Sequence, residues 1–138
     1  MFNVLSEISW LSVLIAFVPY FILGALWFTL LFSKPYNISL GRESEISQKP
    51  APIFIIGPAL CCLVITVASA ILINALQIEA YEDALTFALI TGFGYLVANT
   101  FNIAINPNIP RPILYGIISG TYHLVGIVIV SLILVVMK

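Results

Sequence analysis

Four long apolar runs separated by polar punctuation dominate the sequence: roughly Trp10 to Phe32, Ile53 to Leu76, Ala84 to Ile105 and Ile113 to Met137. Each holds about 22–25 residues, and at about 1.5 Å per residue such a helix crosses a hydrocarbon core of about 30 Å. Membrane-crossing strands are about ten residues long and alternate in polarity, and none of these runs alternates. A helix also satisfies its own backbone in lipid. The pattern predicts an all-α fold: one domain over residues 1–138, an integral membrane bundle of four antiparallel transmembrane helices at about 10–32, 53–76, 84–105 and 113–137. The antiparallel order follows from the short links.

The links add sidedness. The first, Ser33 to Pro52, carries Lys34, Arg42 and Lys49, and its middle, Ser44-Glu45-Ile46-Ser47-Gln48, reads as a short interfacial helix. The second, Gln77 to Asp83, is acidic, and the third, Asn106 to Pro112, has three prolines around Arg111. The first and third links share one side of a bundle with an even number of crossings. Four basic residues therefore stand on that side against Lys138 on the other. The positive-inside rule places links 33–52 and 106–112 in the cytoplasm, with both termini outside. The first ten residues contain Glu7 and no Lys or Arg, so the first run reads as a retained helix and not a cleaved signal peptide.

Composition sharpens the picture. Of 138 residues, 62% are hydrophobic and only 8% charged, against about 45–50% and about 25% in a soluble domain. A surface so poor in charge suits lipid, making the bilayer the first partner. A net charge of -1 with five basic residues gives no footprint for nucleic acid. Cys61 and Cys62 are adjacent in an apolar run, fit neither zinc nor redox spacing, and read as small packing residues. A lone histidine does not build a metal site, and no nucleophile sits in a catalytic motif. Neither enzyme activity, a cofactor nor a metal is expected.

The candidate chemistry lies inside the runs. None contains Asp, Glu, Lys or Arg at depth, so His123 is the one group there that titrates near neutrality. Gly116, Gly120 and His123 share a helix face, and Gly116-x-x-x-Gly120 is a small-residue pair that lets another helix approach closely. In the third run, Tyr95, Asn99, Asn102 and Asn106 form a helical stripe extended by Thr91. Asparagine in lipid is costly, so this stripe is expected to face protein or water. The first run shows Tyr20, Gly24 and Trp27 on one face. Convergence of these faces predicts a polar seam between helices 1, 3 and 4, made by Trp27, Tyr95, Asn99, Asn102, Tyr122 and His123, with Gly24, Gly116 and Gly120 as packing positions. Trp27 and Trp10 also suit an aromatic belt at the membrane interface, as do Tyr36 and Tyr115.

Two of these segments carry a family resemblance. Leu23-Gly24-Ala25-Leu26-Trp27-Phe28, followed by Leu31-Phe32 and Leu40-Gly41, resembles the amino-terminal signature of the DUF1761 family. Tyr122-His123-Leu124-Val125-Gly126 resembles its carboxyl-terminal signature. The chain departs from the family pattern at Ser9, where asparagine is common, and at Asn106–Arg111, which lacks an acidic group while keeping a basic one. The resemblance implies a small four-helix membrane protein, implies no activity, and directs attention to Gly24, Trp27, Tyr122 and His123.

Two readings follow. The first is a small carrier or binder of an apolar or weakly polar molecule, using the polar seam. The alternative is a non-catalytic accessory or scaffold subunit of a larger membrane assembly. In either case a homodimer or other membrane subunits are the expected protein partners. Small multidrug carriers are of similar size, but they keep an acid deep in the first helix, where this chain has none.

Overall fold

A computed structural model describes residues 2–44 and 51–138. The described residues form helices and no strands. After a short 3-10 turn, Phe2–Ser6, come α1 (Trp10–Leu31), α2 (Ser33–Ser39), α3 (Ile53–Ala75), α4 (Tyr81–Ala104) and α5 (Pro112–Val136). Four of them, α1, α3, α4 and α5, are long and apolar enough to cross a membrane. The interfacial helix expected around residues 44–48 falls almost wholly outside the described residues.

Local chemistry sets the ends. Ser9 caps α1, its side chain accepting from the Ser12 amide at 3.3 Å, which satisfies one orphan donor of the first turn. Pro112 opens α5, where a missing N–H costs nothing. Gln77, at φ 53, closes α3 in the left-handed region; the Ile78 amide reaches back to the Ile73 carbonyl at 3.0 Å, the wrap that normally calls for glycine. α4 begins at Tyr81, ahead of the apolar run at Ala84, because Glu82 and Asp83 in its first turn favour the positive end of the helix dipole.

Two helices are interrupted. The last turn of α1, Trp27–Leu31, is π-helical, with the Phe32 amide bonding the Trp27 carbonyl at 2.8 Å. In α4 the stretch Gly92–Val97 is also π-helical. A π turn holds one extra residue, so everything after it is rotated by about 100° relative to an uninterrupted helix.

α5 is the hub. Half of its apolar window is buried, against 28% or less for the other three long helices. It packs against α1, α3 and α4, and α1 also packs against α3. α4 rests chiefly on α5. Along the contact of α1 with α5, Tyr20 meets Gly126, Gly24 meets Tyr122 and Trp27 reaches Ile118. Along α4, Gly92 meets Leu124 and Ile127, Val97 meets Gly120, and Phe101 meets Gly116. At one end of the molecule the Arg111 amide donates to the Ser39 carbonyl at 3.2 Å. At the other, Lys138 Nζ donates to the Ile78 carbonyl at 3.1 Å.

Candidate functional site: a closed aromatic seam

The polar centre lies where α1, α3 and α5 meet. Tyr20 is fully buried, and its hydroxyl shares a hydrogen bond of 2.8 Å with His123 Nδ1. The histidine tautomer decides which atom donates. Beside it, the Tyr122 hydroxyl lies 3.2 Å from Cys62 Sγ on α3. The Tyr122 ring touches Tyr20 at 5.5 Å between centroids and His123 at 4.7 Å. Trp27 is buried too, and its indole N–H donates to the Ile118 carbonyl at 3.0 Å. A buried indole needs such a partner, and this one comes from the helix that Trp27 packs against.

Glycines make these contacts possible. A Cβ at Gly24 would fall 2.8 Å from the Tyr122 hydroxyl, and one at Gly126 would run into the Tyr20 ring. Each large ring thus fills the space that a missing side chain on the facing helix leaves. The packing continues toward one end of the molecule: Phe28 stands edge-on to Tyr122 at 5.2 Å, Tyr36 lies 4.7 Å from Phe28, and Tyr115 lies 5.8 Å from Tyr36. Burial, with the Tyr115 phenol beside it, pushes the Tyr36 phenol up to about 12.

The second polar stripe goes elsewhere. Tyr95 is 72% exposed, and Asn99 and Asn102 are exposed as well. None of the three joins His123, so the third long helix, α4, does not enter the seam as expected; the seam unites the first, second and fourth long helices, α1, α3 and α5. The cause is the π turn at Gly92–Val97. It turns Val97, Thr100, Phe101 and Ala104 toward the rest of the molecule and carries the stripe outward. Gly116 and Gly120 do lie against α4, meeting Phe101 and Val97. Trp27 is buried inside the seam. Cys62, read from sequence as a filler, is a hydrogen-bond partner, whereas Cys61 is exposed. Nothing in a Cys-Cys pair within an apolar run distinguishes the two; only the helix phase against Tyr122 does.

The segments Leu23–Phe28 and Tyr122–Gly126, about a hundred residues apart in sequence, thus pack directly on each other. The family described as a protein of unknown function, DUF1761, matches residues 11–135, nearly the whole chain. The chain belongs to the DUF1761 family. In this DUF1761 protein the two segments meet where Gly24 faces Tyr122, and one turn ahead of the first segment Tyr20 faces Gly126. No curated protein and no solved structure matches the chain.

Chemically the seam is spare. The Tyr20–His123 pair can hold a proton in either of two places. No carboxylate, lysine or arginine occurs within the stretches that form it. Two grooves in the surface lie elsewhere, between α3 and α4. One of about 290 Å³ is floored by Ile127 and bordered by Leu72, Phe87, Thr91 and Tyr95.

Proposed function

We propose that this DUF1761 protein is an integral membrane protein of four antiparallel transmembrane helices that serves as a non-catalytic subunit of a larger membrane assembly. The observation that carries this reading is the way the seam is filled. Tyr20, Trp27 and Tyr122 are buried against glycines and bonded to partners within the chain, so the polar centre is occupied by its own side chains. A carrier needs room at that position. The antiparallel order is supported by contacts in which numbers rise along α1 and α4 as they fall along α5. Orientation with 33–52 and 106–112 in the cytoplasm is supported by the gathering of Arg111 and Glu43 at one end, 3.4 Å apart, next to α2 and its Lys34.

Native mass spectrometry of gently solubilised membranes tests the assembly. The expected result is the chain within a defined complex, and a chain found only by itself overturns the reading. Cysteine labelling at Asn108 and at Glu79 from either side of sealed vesicles tests the orientation.

A second reading, binding of a small apolar molecule, is favoured by the groove between α3 and α4, where the Tyr95 hydroxyl has no partner among the described residues. Under it, a bound molecule raises the unfolding temperature and Tyr95→Ala removes that rise.

A further inference from the structure

We infer that the outer face of α4 — Gly94, Tyr95, Ala98, Asn99 and Asn102 — is where a second copy of this chain docks. The inference rests on the membrane-assembly reading above and deepens it by naming the partner.

The first observation is unmet hydrogen bonding. Asn74 donates to the Ala70 carbonyl of its own helix, and Asn106, just past the end of α4, donates to that of Ile103. The side chains of Asn99 and Asn102 are exposed and have no partner among the described residues, and neither has the Tyr95 hydroxyl. Depth makes this costly. A helix of 24 residues is about 36 Å long, and centring it on a core of about 30 Å leaves about 3 Å protruding at each end. Asn99 lies five residues before the end of α4, so its Cα sits about 4–5 Å inside the hydrocarbon, and that of Tyr95 about 10 Å inside. Helical side chains lean toward the amino terminus, which carries both groups deeper. Ester groups and water at the interface reach Asn102 more readily than Tyr95, and hydrocarbon offers nothing.

The second observation is complementarity. A carboxamide carries both a donor and an acceptor. A two-fold axis through this face sets the same stripe against itself, so each amide finds its match without a partner of different chemistry. Beyond Asp83, α4 has no charged residue, so two copies do not repel.

The third observation is room. A Cβ at Gly94 would meet nothing within 4 Å, unlike one at Gly92, which would fall 2.7 Å from Leu124. Gly94 and Ala98 are four residues apart and both exposed. Such a pair lets two backbones come close enough for short side chains to bond across the contact.

The test uses the full chain in lipid vesicles, with Cys61→Ala removing the exposed native thiol. Ala98→Cys is expected to form a disulfide-linked dimer on mild oxidation, and Leu26→Cys, on the exposed side of α1, is not. Asn99→Leu with Asn102→Leu is expected to weaken dimerisation at least about tenfold in a dilution experiment read by single-molecule photobleaching. Gly94→Leu, which has space in the single chain, gives the same loss by holding the backbones apart. Equal unfolding profiles in dilute detergent show that each variant is folded. A dimer cross-linked through Leu26→Cys instead, or Ala98→Cys captured on a different protein when the same oxidation is run in native membranes, overturns the second copy at α4 and leaves the assembly reading intact. A chain that is monomeric at every lipid dilution and in no complex overturns both.

Discussion

Two tyrosine-bearing polar faces, one on α1 and α5 and one on α4, meet opposite fates in this DUF1761 protein. On the first, Tyr20, Tyr122 and His123 turn inward, and glycines on the facing helices let their hydroxyls and ring nitrogen find partners within the chain. On the second, Tyr95, Asn99 and Asn102 turn outward, beside a glycine that faces open space. In hydrocarbon a polar side chain gains more from a partner than in water, because the alternative is none. The first face closes the single chain; the second leaves its polar groups without partners among the described residues. Glycine marks both, and what separates them is whether the space in front of it is already filled.

The comparison can be pressed at both ends. Removing the Tyr122 ring opens a cavity at the centre of the filled face, so Tyr122→Ala is expected to cost about 3–5 kcal/mol in denaturant unfolding followed by circular dichroism in bicelles. Gly126→Ala works in the opposite sense, forcing Tyr20 out of its place, and is expected to cost about 1–3 kcal/mol in the same measurement. Titration sharpens the outer end of the aromatic column. Because burial raises the folded Tyr36 phenol to about 12 from 10.0, the unfolded chain loses that proton first. Stability therefore falls as pH climbs from 10 toward 12, and Tyr36→Phe flattens that part of the profile. An unchanged slope in Tyr36→Phe would place the cause elsewhere. The smallest effect belongs to the open face: Asn99→Leu is expected to shift single-chain unfolding by no more than about 0.5 kcal/mol, since nothing among the described residues bonds that amide. A large shift there would mean that the two faces are not different in kind.

Much of the fold is legible in the sequence because the pattern is coarse. Runs long enough to cross hydrocarbon, bounded by prolines and charges, mark α1, α3, α4 and α5 to within a few residues, and the amino-terminal boundary of α4 moves only because Glu82 and Asp83 support an earlier start. The site is less legible, for reasons of phase. Reading Tyr95, Asn99 and Asn102 as continuing the face of Thr91 assumes an unbroken helix, and the π turn at Gly92–Val97 cancels that assumption. The turn begins at Gly92, which packs on Leu124 and Ile127 of a distant helix, so its phase is read from that contact and not from the local hydrophobic pattern. Trp27 illustrates the same limit. Its place near a helix end suits a belt, yet the bond to Ile118 depends on a helix about ninety residues away. His123 was recognisable as unusual, but its partner Tyr20 was one of several hydroxyls in reach of such a position.

The central place of α5 bears on how the molecule is made. It emerges from the ribosome after the other three long helices. Until it does, α1 and α3 have each other, whereas α4 has almost nothing in its own chain to lean on. The contacts that hold α4 in place therefore form only once α5 is present, and consolidation comes late. A nascent chain halted before Pro112 would leave α4 without its main packing partner.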